Sequence, residues 1–122
     1  MSTESGRITS AREPILTVRL IDNGTVECVV DTGFTGALML PRQIIERAGA
    51  SVIGKETFQL VSGHIIVASL ALVEIDWLGE RRFVRALLSD NSDALIGSEL
   101  LDGNRLVIDY NLDEVTLMTA EE

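Results

Sequence analysis

In this 122-residue chain, residue type and spacing together suggest chemistry most clearly at Asp31-Thr32-Gly33. The triplet sits in Val29-Val30-Asp31-Thr32-Gly33-Phe34-Thr35-Gly36, where an apolar run delivers a carboxylate into a glycine-rich loop. A carboxylate so placed can take a proton from water or give one to a leaving group, and hydrolysis by that route needs both acts together. No other aspartate in the chain is followed by Thr-Gly or Ser-Gly. A catalytic Asp31 therefore needs a second chain to supply the opposing carboxyl. The plain alternative is a loop aspartate that caps its own turn.

Other chemistries find less support. Cys28 is the single cysteine, which excludes an intrachain disulfide, and one cysteine with one histidine, His64, does not make a zinc site. Cys28 lies on the strand before Asp31 with no base in evidence and reads as a buried thiol. His64 reads as an exposed turn residue rather than a substrate contact. Asp31-x-Gly33-x-Thr35 also matches the phosphate loop of actin-fold kinases, but that fold needs far more chain. Trp77 and Phe83 read as core or interface residues. The expectation is an activity without metal or organic cofactor.

The composition bounds the frame. Nineteen acidic against 10 basic residues give a net charge of −9, which repels a nucleic-acid backbone. The densest basic stretch, Arg81-Arg82-Phe83-Val84-Arg85, is divided between two faces by strand alternation. Hydrophobic content of 46% with 4% aromatics favours one aliphatic, β-rich core. The polar start of the chain lacks the apolar centre of a secretory signal, and the longest apolar run, Ile65 to Val73, is broken by Ser69. The expectation is a soluble, cytoplasmic protein with no membrane or nucleic-acid partner.

The elements that must position Asp31 follow from alternation and turn chemistry. Residues 1–14 predict a flexible arm whose end joins a sheet, and residues 15–122 a single domain. Ile15 to Ile21 and Thr25 to Val30 flank Asp22-Asn23-Gly24, a strong hairpin signal, so Asp31 stands at the end of the second strand. Ala37 to Leu40 is a short strand. Pro41 suits a first helical turn, Gln43 to Ala48 a helix, and Gly49 its end. Phe58 to Val61 and Ile65 to Ile75 make a hairpin around Ser62-Gly63-His64, and a third hairpin turns at Leu78-Gly79 into Phe83 to Leu88. Ala94-Leu95-Ile96-Gly97 predicts a buried strand, followed by a short helix with Ser98 as its N-cap. Leu106 to Asp109 and Val115 to Met118 close the chain as a last hairpin, with Arg105 placed to pair with acids such as Asp109, and Glu121-Glu122 as a solvated tail.

This order of hairpin, Asp-Thr-Gly, strand, helix, hairpin, then apolar-apolar-Gly before a short helix and a last strand pair resembles the retropepsin-like aspartic proteases. Phe34 and Leu95-Ile96-Gly97-Ser98-Glu99-Leu100-Leu101 are similar to a group of small prokaryotic proteins of that clan. The resemblance implies a mainly β, single-lobed acid-protease barrel with a flap hairpin and one or two short helices. It also implies a homodimer that hydrolyses extended peptide or protein substrates between two Asp31 carboxyls. Thr32 would tie the two loops together, and Gly33 would leave room for substrate backbone. Val29, Phe34 and Leu95 are candidate pocket walls, Ser62 and Gly63 the flap tip over the substrate, and Ile96 and Gly97 the support behind the loop. Thr35 and Ser98 stand where the viral enzymes have an aspartate and an arginine that pair, and Phe34 replaces a small residue. Those three positions motivate a second reading, a noncatalytic module of the same fold that dimerises or binds peptide.

Overall fold

The computed structural model describes residues 2–21, 24–59 and 62–120. Strands β2 (Pro14–Leu20) and β3 (Thr25–Val30) pair antiparallel, with Ile15 opposite Val29 and Arg19 opposite Thr25. Alternation buries Leu16, Val18 and Leu20 from one strand and Cys28 and Val30 from the other. At the turn, Gly24 takes a φ of +84° and the Leu20 amide donates to its carbonyl, whereas Asp22 and Asn23 lie outside the described residues.

After β4 (Leu38–Pro41) and α1 (Arg42–Arg47) come β5 (Val52–Gln59), β6 (Ile65–Trp77), β7 (Glu80–Ser89) and β8 (Leu95–Ile96). A ring of pairings joins β2, β3, β8, β4, β7 and β6, and it closes through Arg19 opposite Asp76 and Leu20 opposite Ile75. Closure pairs both edges of the strands that carry the core. Trp77, Leu16, Leu38, Leu40, Ile75 and Ile96 fill the interior. Helix α2 (Ser98–Leu101) then leads into β9 (Asn104–Asp109) and β10 (Glu114–Thr119).

Several elements differ from the sequence expectation. Within the segment expected as a flexible arm, Thr3–Ile8 forms β1, which pairs with β10 along Thr3 to Arg7 and with β2 at Arg7 and Ile8. Two tertiary contacts outweigh its polar composition. Glu4 is buried, accepting from Arg19 Nη2 at 2.6 Å and from the Leu78 amide at 2.9 Å. Gly6 crosses so close to β2 that a Cβ would overlap the Ile15 carbonyl oxygen.

Strand β5 begins at Val52, earlier than Phe58, because β6 pairs with it from Ala71 to Ile65 despite Gly54 and Lys55. Leu60 and Val61, expected at its end, lie outside the described residues, as do Glu121 and Glu122. Pro41 caps α1 rather than opening its first turn. Gly97, not Ser98, is the N-cap of α2, with no side-chain cap: the amides of Ser98 and Glu99 find the backbone carbonyls of Phe34 and Gly36 instead. Among the described residues Arg105 has no ion pair, and Asp109 instead receives the amides of Asn111 and Leu112.

Candidate active site

The strand β3 ends at Val30, and its parallel pairing with β8, Val29 to Leu95 and Val30 to Ile96, fixes where Asp31 emerges. The Asp31 amide donates to the Ile96 carbonyl at 2.9 Å, and the Phe34 amide closes the turn on the Asp31 carbonyl at 3.1 Å. Within that turn the Gly33 amide donates to Asp31 Oδ1 at 3.0 Å, which orients a half-buried carboxylate. Gly97 donates to Ala37 at 2.9 Å, Ser98 to Phe34 at 2.8 Å and Glu99 to Gly36 at 3.2 Å, all through backbone groups. The Asp31 loop and the β8–α2 junction are thus laced together by main chain.

Two glycines permit that approach. A Cβ on Gly97 would overlap the Gly36 carbonyl oxygen and would lie 2.6 Å from Phe34 Cδ2, while one on Gly36 would lie 2.6 Å from Phe34 Cζ. The Phe34 ring therefore rests against both glycine backbones, and only residues without side chains fit there.

Asp31 faces a cleft of about 260 Å³ walled by Gly33, Phe34, Thr35, Met39, Leu87 and Leu95 from the barrel and by Gln59, Ile66 and Ala68 from the β5–β6 hairpin. An adjoining cavity of about 220 Å³ shares Thr35 and Leu87 and adds Glu56, Arg85 and Glu99. The arrangement is one carboxylate on the floor of a mostly apolar groove with a hairpin as its wall, suited to an extended, partly apolar chain.

Of the residues singled out from sequence, Asp31, Gly33, Phe34 and Leu95 meet in this cleft. Thr32 stands exposed at the crest of the loop. Val29 is half-buried in β3 between Leu95 and Ile15 and does not line the cleft. Ile96 is fully buried behind the loop, beside Gly97. Ser62 and Gly63 are exposed at the hairpin turn, where Gly63 has a φ of +90° and Ser62 Oγ lies 2.9 Å from His64 Nδ1; neither lines the cleft. Sequence reasoning missed Met39, Gln59, Ile66, Ala68 and Leu87. Register was the available signal: Ile66 and Ala68 share one face by alternation, and Met39 pairs with both Leu95 and Leu87.

Cys28 is fully buried, and desolvation pushes its thiol from 9.0 up to about 12. It is neutral at physiological pH and unsuited to nucleophilic attack. No helix among the described residues is long and apolar enough to cross a membrane, and no cluster of His, Cys, Asp and Glu among them could hold a metal ion.

Solved structures define the class. A retropepsin-like aspartic protease from Rickettsia conorii superposes with a TM-score of 0.68 over 96% of this chain and 90% of that one, at 16% identity. EIAV protease in complex with an inhibitor superposes with a TM-score of 0.61 over 76% of this chain and 88% of its own, at 19% identity. The chain therefore has the retropepsin-like fold, mainly β and single-lobed. By sequence it is similar to an uncharacterised protein of Archaeoglobus fulgidus, 29% identical over 102 residues and 80% of each chain. No family model matches the chain.

Proposed function

We propose that the protein is an aspartic endopeptidase, active as a homodimer, that hydrolyses peptide bonds in extended, partly apolar segments. The observation that carries this reading is Asp31, oriented by its own loop and facing a cleft walled by the β5–β6 hairpin. One Asp31 carboxylate accepts a proton from water as the oxygen attacks the peptide carbonyl carbon. The partner's protonated Asp31 carboxyl gives its proton to the carbonyl oxygen, because two carboxyls in hydrogen-bonding range hold one proton between them. As the tetrahedral intermediate collapses, the C–N bond breaks and the nitrogen leaves with a proton from the pair.

The surrounding residues support the same roles. In this reading Thr32, exposed at the crest, bonds its counterpart across the dimer, and Gly33 leaves the carboxylate open to substrate main chain. The hairpin supplies a strand edge along which an extended peptide can pair, with alternate side chains directed into the groove. Ser62 and Gly63 are the tip that closes over it.

A mixed peptide library, incubated with the protein from acidic to neutral pH, tests the proposal. Wild-type cleavage is expected to fall at least about a hundredfold in Asp31→Asn with unchanged thermal unfolding, given the size of single catalytic-group effects. Equal cleavage by both proteins would remove Asp31 from the mechanism. Peptide binding without cleavage by either would favour the noncatalytic module, which Phe34 on the cleft wall motivates.

A further inference from the structure

The cavity of about 220 Å³ beside the Asp31 cleft shares Thr35 and Leu87 with it, and strand register explains the rest of its lining. Glu56 on β5 stands opposite Ala68 on β6, and Ala68 lines the cleft, so the hairpin turns both toward the groove. Two residues further along β6, Leu70 reaches the cavity and pairs with Leu87 of β7. Arg85 precedes Leu87 by two residues and therefore shares its face. From the floor, Glu99 is brought to the same cavity by its amide, which donates to the Gly36 carbonyl at 3.2 Å.

Sites that take whole small molecules measure about 300–1,000 Å³, so this smaller cavity suits one side chain of a longer ligand. Leu38, Leu70 and Leu87 give it an apolar wall. Lysine and arginine lay their methylenes on such surface while the charged end stays among polar groups. The charges in the lining do not balance: two carboxylates, Glu56 and Glu99, stand against one guanidinium, Arg85, an excess of one negative charge. Among the described residues none of the three has an ion pair or a side-chain hydrogen bond. One added cation brings the lining to neutrality, whereas an added carboxylate doubles its excess. The two carboxylates also come from different walls, the hairpin and the start of α2, so an entering cation meets one on each.

We infer that this cavity is a subsite that selects a lysine or arginine side chain of the bound peptide, with Glu56 and Glu99 as its specificity determinants. The inference rests on the proposed function for laying a peptide along the cleft. Its test reads binding separately from cleavage.

Asp31→Asn protein, which lacks the carboxylate of the neighbouring cleft, is incubated with a peptide pool carrying Lys, Glu or norleucine at each randomised position, and the retained peptides are sequenced. Lys should be enriched over norleucine, its uncharged hydrocarbon counterpart, at least about threefold at one position, with Glu depleted there. The enrichment should shrink as salt is raised, because partly exposed charge pairs are screened. In the same background Glu56→Gln and Glu99→Gln keep side-chain size, and each should cut the Lys enrichment by about half or more with norleucine retention unchanged. Glu80→Gln removes the same charge from the exposed start of β7 and should leave the enrichment intact. Equal retention of Lys and norleucine, enrichment that survives both cavity variants or falls equally in Glu80→Gln, or retention of no peptide would each overturn the subsite. Wild-type cleavage with no preference for Lys at any position would leave the peptidase standing and overturn the subsite as well. Lys enrichment that depends on Glu56 and Glu99, without cleavage by the wild type, would leave the subsite standing and refute the peptidase.

Discussion

The two walls of the cleft are built by opposite means. Below, the Asp31 loop and the β8–α2 junction are held by four amide-to-carbonyl bonds between segments 60 or more residues apart, with Gly36 and Gly97 allowing the approach. Above, β6 pairs with β7 only from Leu70 onward, so residues 65–69 have β5 alone as a partner. There Ile65 is 67% and Val67 62% exposed. A two-stranded ribbon is marginal in water by itself. The lower wall is thus over-determined and able to hold a carboxylate in place. The upper wall is held by fewer partners, which suits the cover that the proposed function assigns to it.

The comparison breaks most severely at Gly97. Gly97→Ala forces a methyl into the Gly36 carbonyl and the Phe34 ring, both fixed by main chain. A loss of about 3 kcal/mol is expected, at the upper end of overpacking costs, read as a lowered urea midpoint. Gly54→Ala in the hairpin has open space around it and should cost well under about 1 kcal/mol. Equal losses at the two glycines would show that the walls do not differ in rigidity.

This asymmetry also explains what could be read from the sequence. The lower wall was legible because its signals are local: an apolar run ending in Asp31-Thr32-Gly33, and Leu95-Ile96-Gly97 ahead of a short helix, can each be read within a few residues. The hairpin was legible as a hairpin, since Gly63 marks its turn, but Val52 to Thr57 was not, because Gly54, Lys55 and Glu56 have weak strand preference and are held by pairing with β6. The same holds for β1, where Glu4 reads as a solvated charge until Arg19 and the Leu78 amide are brought to it by folding. Tertiary partners decide such segments, and no window of sequence contains them.

A smaller effect sharpens how dry the lower wall is. Cys28 stands on the strand that delivers Asp31, and burial holds its thiol up to about 12 against 9.0 unperturbed. For a group neutral when protonated and raised on folding, the stabilisation is complete below pH 9.0 and is lost as pH climbs toward about 12, because the unfolded chain ionises first. The urea midpoint of the wild type should therefore fall faster above pH 9 than that of Cys28→Ala. Parallel curves would mean that water reaches β3.

The smallest expected effect divides the hairpin against itself. Neighbours on a strand face opposite ways, so Ile66 turns toward the cleft while Val67 turns out. Ile66→Thr and Val67→Thr both keep a β-branched side chain and alter partly exposed positions, so each should shift stability by no more than about 0.5 kcal/mol. Their effects on cleavage should separate. Ile66→Thr removes apolar contact from a bound peptide and should raise KM severalfold with kcat little changed, the pattern of lost uniform binding. Val67→Thr should leave both constants alone. If instead the two substitutions raise KM alike, the hairpin acts through its overall stability, and the cleft is not lined by one face of it.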